Sequence, residues 1–566
     1  MLLAHIFIAE HKALSNLDIS ISGNFDCSFV SGVLTLSRHF NNSDYYRGFH
    51  CSALIGPNGV GKSSILEVVE LLTVRTDSRA FVIFYDEKEN SYFVCGINMD
   101  ESDVENVKTD SVHSFVIDNE LFLSRNKINL VKVNNLPADD GLLMLSTRKP
   151  ARYVKELTVR ENVKSIKRRK QYFEKLLNYF TDGHDRDDFM EEVAFAFAFS
   201  SSPISILQVV INRKLLSDTN SVEKVGEWYR QRRTQLEFGC EVSSSLIFQS
   251  LLALNTLSIL SALAADSSIE KSMILPFLLS VFADIDLQNK EGMANHNRLR
   301  HMLQRIRGAD SICSFLSEES NLSNAEILKA LMRMEDSLEI YLGIFDKIAE
   351  SVYDNCFDGE SLDLSRVTTT DYFTIDKLTG LIGKLPGNIA ANMRWGWRGV
   401  STGELARTHI FAEIFAFLKK SGCDNNIIVI DEADLYLHPE WQRTFLYDLL
   451  QHLDSVRVYE NTSNPQIVIC THSPIIVSDF LPENIISLGK DEYGQTEVTK
   501  SFGFGNAIGD IYMNGMHLKS TFGEHAKKIL DGIIARGRQG SLSDEDCHLI
   551  AKIPSSHVRN FLLSHD

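Results

Sequence analysis

Hydrophobic positions alternate with polar ones through the first hundred residues. Leu17, Ile19 and Ile21 share one face of an extended chain, Val33 and Leu36 mark another strand, and Ala80 to Ile97 reads as a hairpin turning near Glu87 to Ser91. Short unbroken apolar runs read as buried strands at Met1–Ala9, Ser52–Ile55, Gly141–Leu145, Ile427–Glu432 and Gln466–Cys470. Between residues 150 and 390 the spacing turns helical, with broad apolar faces over Asp188–Phe199, Ile204–Leu216, Glu223–Phe238, Ser244–Ala265, Asn297–Ser317 and Asn324–Val352. Strand-like segments return at Asp371–Asp376 and Asn388–Trp397. The tail reads as helical at Gly503–Ile511, Phe522–Ile534 and near Phe561. The pattern predicts an α/β head split by a large, mainly helical insertion. Its parts are 1–147 and 390–500 for the head, 148–389 for the insertion and 501–566 for a helical extension.

A length of 566 residues exceeds what one core supports, so several domains are expected. Apolar content of 44% and charged content of 23% are those of a globular protein. The start of the chain runs directly into polar residues without a secretory or lipidation signal, which places the expectation in the cytoplasm. The most membrane-like segment, Leu246–Ala265, carries Gln249, Asn255 and Thr256 and is expected to be a core helix rather than a membrane span. Nine cysteines stand singly with no C-x-x-C pair, which argues against a disulfide framework or a zinc knuckle.

The net charge of −18 argues against a surface that coats nucleic acid throughout. Charge is locally reversed, however. Between Arg148 and Lys175 there are eleven Lys or Arg, among them Arg148, Lys149, Lys164, Lys167, Arg168, Arg169 and Lys170, against three Glu. This stretch is a candidate contact for nucleic acid or an acidic partner surface. A second basic set, Arg298, Arg300, Arg305 and Arg307, lies in the insertion beside His296 and His301, which are expected on a solvated helix face rather than at a metal.

The candidate chemistry begins at Gly56-Pro57-Asn58-Gly59-Val60-Gly61-Lys62-Ser63-Ser64, which fits G-x-x-x-x-G-K-[ST] and joins a predicted strand to a predicted helix. In that context backbone N–H groups curl around phosphates at the helix N-terminus, Lys62 reaches the β and γ phosphates, and the Ser63 hydroxyl ligates Mg²⁺. ATP with Mg²⁺ is the expected ligand. Val400–Glu404, with Ser401, Gly403 and Glu404, opens a helix running to about Lys420. Ile427–Glu432 ends in two acids, Asp431 suited to the Mg²⁺ shell and Glu432 to deprotonating the attacking water. After Gln466–Cys470, His472 is placed to sense the γ phosphate.

Taken together, GPNGVGKSS, VSTGE, IIVIDEADLYLHPEWQ and IVICTHSP resemble the ABC-type ATPase heads of the structural-maintenance and overcoming-lysogenization-defect superfamily. That resemblance implies head-to-tail pairing, in which Ser401 and Gly403 cap ATP held by a second copy and Asp434–Pro439 lies at the seam. It covers residues 1–145 and 390–500. The pattern departs at the glutamine loop: near Leu142–Thr147 there is no Gln, and Ser146 or Thr147 stands in its place. Long coiled coils are absent, and fewer than 100 residues follow His472, with no recognisable metal acids. What remains resembles the PtuA-like ATPases of Septu and retron-linked anti-phage defence, with Gly505–Ile529 as a softer match. The resemblance implies an HNH endonuclease partner of the PtuB kind and, in retron-linked versions, a reverse transcriptase with RNA-linked DNA. Two other readings stay open: a nucleotide-gated scaffold whose hydrolysis is incidental, and a DNA-repair ATPase. A self-sufficient nuclease lacks the acids it needs.

Overall fold

A computed structural model describes residues 1–39, 44–134, 151–158, 166–181, 194–202, 205–206, 208, 219–231, 237–238, 241–289, 292–310, 314, 316, 322–421, 424–460, 464–516, 518, 520 and 522–563. The chain forms two compact units, Met1–Asn162 with Thr402–Asp566, and Val163–Ser401.

The first unit is built on a seven-stranded sheet in the order Val154–Thr158, Ile128–Asn134, Asn425–Asp431, Gln466–Cys470, His50–Ile55, Ile485–Lys490 and Thr496–Thr499. The first six strands are parallel and only the last pairs antiparallel. Parallel strands buried on both faces need near-continuous apolar runs, and Asn426–Ile430 and Gln466–Cys470 are buried at every position. A second sheet, in the order Leu14–Ser20, Leu2–His11, Arg79–Asp86, Ser91–Ile97 and Val112–Val116, contains the predicted hairpin. The helix Lys62–Glu70 contributes Ile65, Leu66, Val68 and Val69 to a core shared by both sheets. Gln466 locks the sheets together from inside: its amide accepts from Leu3 N at 2.8 Å and donates to Leu3 O at 2.9 Å. A three-helix tail over Glu524–Gly537, Asp544–Ala551 and Ser556–Leu563 closes on Ile533, Ile550 and Leu562.

The second unit is mostly helical around its own core. Its longest helix, Asn324–Cys356, starts in a capping box made by Ser323 and Glu326. Among the described residues Ser244–Asp266 is the one helix long and apolar enough to cross a membrane, and most of it is buried in this core.

Several sequence expectations are corrected here. Asp188–Phe199, read as helix, contains the strand Ala194–Phe199, because Phe195, Phe197 and Phe199 alternate with alanines and all three are buried. Asp371–Asp376, read as strand, is the start of the helix Tyr372–Ile382, where the Asp371 carboxylate caps Thr374 N at 2.8 Å. The strand predicted over Asn388–Trp397 begins only at Met393, after the helical turn Gly387–Ala390. The helix predicted to reach Phe238 is described as far as Gln231, and Glu237–Phe238 pairs with Leu362–Asp363; the helix predicted to reach Ser317 stops at Arg307, with helical residues resuming at Asp310. In the tail, Gly503–Ile511 becomes helical only from Ile508, where the turn Ile508–Asp510 runs into a π-helix at Ile511–Gly515. The runs Gly141–Leu145 and most of Ile204–Leu216 lie outside the described residues.

Candidate nucleotide site

In the central sheet His50–Ile55 lies between Gln466–Cys470 and Ile485–Lys490, and Asn425–Asp431 follows one strand further on. All four run in the same direction, so the loops leaving their carboxyl ends open on one edge of the sheet. That edge is where open α/β sheets bind ligands.

The phosphate loop Gly56–Gly61 leaves from the middle of this edge. Gly61 has φ +104, and a Cβ on it would lie 2.7 Å from Leu14 Cδ2, so a larger residue there collides with the second sheet. The helix Lys62–Glu70 begins with no side-chain cap, which leaves its first N–H groups for an anion. Asn58, Gly59 and Ser63 are exposed, whereas Val60 is buried and its carbonyl accepts from Thr496 Oγ1 at 2.8 Å.

Lys62 is buried at the start of this helix. Its Nζ donates to Gly56 O at 2.9 Å and Pro57 O at 3.4 Å and stands 3.0 Å from His472 Nε2. Burial lowers its pKa, against the attraction of Cys470, Glu432, Asp431 and Asp434. With Lys62 protonated, His472 Nε2 is the acceptor and a neutral imidazole carries its proton on Nδ1.

Asp431 ends its strand and Glu432 opens the following turn. Glu432 has φ +53, an unusual conformation for a residue with a long side chain, and the turn is pinned by Ala433 N donating to Cys470 O at 3.1 Å. Both carboxyls are pushed above the ordinary range, chiefly by burial. For Asp431 the opposing pull comes first from Lys132, for Glu432 from His472. A Mg²⁺ bound with phosphates takes only one or two protein ligands, so a strand-end carboxylate and the exposed Ser63 hydroxyl are a donor set that fits it.

Two contributors, Lys132 and Asn134, were not singled out from the sequence, and a third, Asp434, entered it only as the start of the seam segment. Lys132, on the strand beside Asp431, donates to Glu70 Oε1 at 2.8 Å; burial works against its charge, but Glu70, Glu156 and Asp431 raise its pKa overall. Asn134 ends that strand level with Asp431. The described strand upstream of Leu142–Thr147 is Ile128–Asn134; that segment, with Ser146 and Thr147, lies outside the described residues. Asp434 accepts hydrogen bonds from the His472 loop. No local motif marks these three, because each matters through a partner distant in the chain.

Ser401 is exposed and closes the second unit. Gly403, in the first turn of the helix Thr402–Ser421, is buried: a Cβ there would lie 2.5 Å from Trp441 Cζ3 and 2.7 Å from Tyr436 O. Glycine is thus required at 403 by packing within the chain. Glu404 is half-buried.

Of the basic stretch, Arg148, Lys149 and Lys164 lie outside the described residues, and nothing is described of the side chains of Lys167, Arg169 and Lys170. Arg168 is exposed on the helix Ile166–Thr181, whose Phe173 packs on Trp395 at 4.5 Å between ring centroids. The second basic set is neutralised. Arg298 pairs with Asp286, Arg300 with Glu339 at 2.6 Å, Arg305 with Asp284 at 2.9 Å and Arg307 with Glu335 at 2.9 Å. His301 is exposed, and half-buried His296 lies 2.8 Å from Gln249 Nε2.

Residues 36–477 match the AAA ATPase domain family. A stretch of 146 residues is 26% identical to the Retron Vc95 probable ATPase of Vibrio cholerae serotype O1 biovar El Tor, covering 24% of this chain and 25% of that protein. Another of 100 residues is 34% identical to the Septu protein PtuA of Bacillus thuringiensis, covering 17% of this chain and 23% of that protein. The matches thus span about a quarter of each relative's length, and both relatives are of the kind the motifs resemble.

Proposed function

The chain belongs to the AAA ATPase domain family, with an α/β head and a mainly helical insertion, and on that premise we propose that it binds ATP with Mg²⁺ and hydrolyses it to control a partner nuclease in anti-phage defence. One observation carries the ATPase reading. Lys62 of the phosphate loop touches His472 at 3.0 Å, on the same sheet edge from which Asp431 and Glu432 emerge.

The backbone of Gly56–Gly61 and the Lys62 ammonium hold the phosphate chain. Ser63 and Asp431 hold Mg²⁺, which supplies charge neutralisation on the phosphate oxygens. The Glu432 carboxylate takes a proton from water as its oxygen bonds to the γ phosphorus, and the bond to the β–γ bridging oxygen breaks to release ADP. Its burial-raised basicity suits that task. His472 exchanges Lys62 for the γ phosphate by carrying its ring proton on Nε2, which then donates to a phosphate oxygen and thereby registers its presence. Ser401, Gly403 and Glu404 cap the nucleotide of a second copy in a head-to-tail homo-oligomer. Turnover is slow because it waits on association.

The names of the two relatives support the defence setting. In it, the chain works in the cytoplasm with an HNH endonuclease of the PtuB kind, and in a retron with a reverse transcriptase and RNA-linked DNA. Purification of the full chain from its host with ATP present throughout tests this. An HNH nuclease alone supports a Septu arrangement, and a reverse transcriptase with RNA-linked DNA supports a retron. A homodimer without either shifts the reading to a DNA-repair ATPase.

The basic stretch is proposed as the contact to the partner's nucleic acid. Replacing Lys167, Arg168, Arg169 and Lys170 together by Glu is expected to weaken binding of single-stranded DNA or RNA and to flatten its salt dependence. Affinity unchanged across a salt titration would remove that contact.

A further inference from the structure

Thr471, His472 and Ser473 form the turn between the buried strand Gln466–Cys470 and the short helix Pro474–Val477. Thr471 N donates to Leu54 O at 3.4 Å and His472 Nε2 stands 3.0 Å from Lys62 Nζ, while Thr471 Oγ1, His472 N and Ser473 Oγ all bond one segment, residues 434–442. Asp434 Oδ1 accepts from Thr471 Oγ1 at 2.5 Å and from His472 N at 3.0 Å. Ser473 Oγ donates to Gln442 Oε1 at 2.6 Å, while Gln442 Nε2 donates to Leu437 O at 2.9 Å. Within the turn, Ser473 N donates to Thr471 Oγ1 at 3.0 Å, so the oxygen that bonds Asp434 also sets the path of the chain past His472.

We propose that Asp434 is a positioning residue for hydrolysis: one carboxylate oxygen, gripping Thr471 Oγ1–H and His472 N–H together, aims the His472 imidazole into the phosphate site. This rests on the reading of His472 as the group that meets the γ phosphate. A carboxylate suits the task because it is acceptor-only and takes both donors at full strength. The segment is itself fixed. Leu435 N donates to Glu432 O at 3.0 Å, Leu437 N donates to Asp434 O at 3.1 Å, and Tyr436 sits at φ +68 with its carbonyl against Gly403. Asp434 thus ties the turn that carries Glu432 to the turn that carries His472, across 38 positions of sequence.

A double-mutant cycle on the full chain tests this. Steady-state ATP hydrolysis is measured for Asp434→Ala, His472→Ala and the pair, with Asp434→Asn as the conservative variant that keeps an acceptor oxygen. If Asp434 acts through His472, Asp434→Ala lowers kcat by about tenfold or more with KM for ATP changed by less than about threefold. The pair is then no slower than His472→Ala alone to within about twofold, and Asp434→Asn restores most of the rate. Losses that multiply in the pair overturn the proposal, as does an Asp434→Asn variant as slow as Asp434→Ala. A His472→Ala chain with normal kcat overturns the His472 reading itself, a different result from multiplying losses. Thermal unfolding of each variant separates loss of fold from loss of aim.

Discussion

Glu432→Gln is expected to lower ATP hydrolysis by about a hundredfold or more while ATP remains bound. The amide keeps the size of the carboxyl and its place in the strained turn after Asp431, so the loop has no steric reason to move. What is lost is the ability to accept a proton from water. Glu432 is suited to that step because burial raises its proton affinity, while its neighbour Asp431, deeper at the strand end, is suited to the metal. The check is phosphate release alongside equilibrium ATP binding. A Glu432→Gln chain that hydrolyses at the normal rate would place the base elsewhere. One that no longer binds ATP would make Glu432 part of the binding surface.

Lys62→Ala is expected to act earlier, on binding. A charge-assisted hydrogen bond contributes roughly 1.5–3 kcal/mol, so losing the ammonium should weaken ATP binding by roughly ten- to a hundredfold. This ammonium is held by Gly56 O and Pro57 O and stands against His472, with burial lowering its pKa. Phosphate oxygens have to compete with the loop's own carbonyls for it. Thermal unfolding with and without Mg²⁺ and ATP reads the effect, since only a ligand that binds the folded chain raises the midpoint. Wild type should be stabilised by ATP and Lys62→Ala much less. Equal stabilisation of both would contradict the assigned role.

Much of this site was legible in the chain because each part is a short buried strand followed by a tight, chemically marked turn. SALIGPNGVGKSS, IIVIDE and IVICTH each carry both halves of that signal. Their order across the sheet, with Gln466–Cys470 between the other two, is a matter of long-range pairing and left no local trace. Ile128–Asn134 escaped notice because Asn129, Lys132 and Asn134 interrupt its apolar run, and those polar residues are the ones that face Asn426, Glu70 and Asp431 across the fold. Asp434 looks in sequence like an ordinary turn acid; only folding puts it beside Thr471 and His472. In the insertion two segments carried a local signal against the element first expected of them. The alternating Phe195, Phe197 and Phe199 signalled a strand, and Asp371 three residues before Thr374 signalled a helix cap. Gly403 carried a double meaning. The signature pattern singled it out for capping a second copy's nucleotide, whereas its close approach to Trp441 and Tyr436 explains the glycine within one chain.

The most direct measurement is phosphate release from ATP with Mg²⁺ by the purified full chain, followed as chain concentration is raised, with Glu432→Gln beside it. A two-copy site built on Lys62, Asp431, Glu432 and His472 and completed by Ser401 and Gly403 of a second chain predicts a rate per chain that climbs with concentration and then levels off. It also predicts near-complete loss of that rate in Glu432→Gln. No release at any concentration, or release that survives the loss of Glu432, would contradict it.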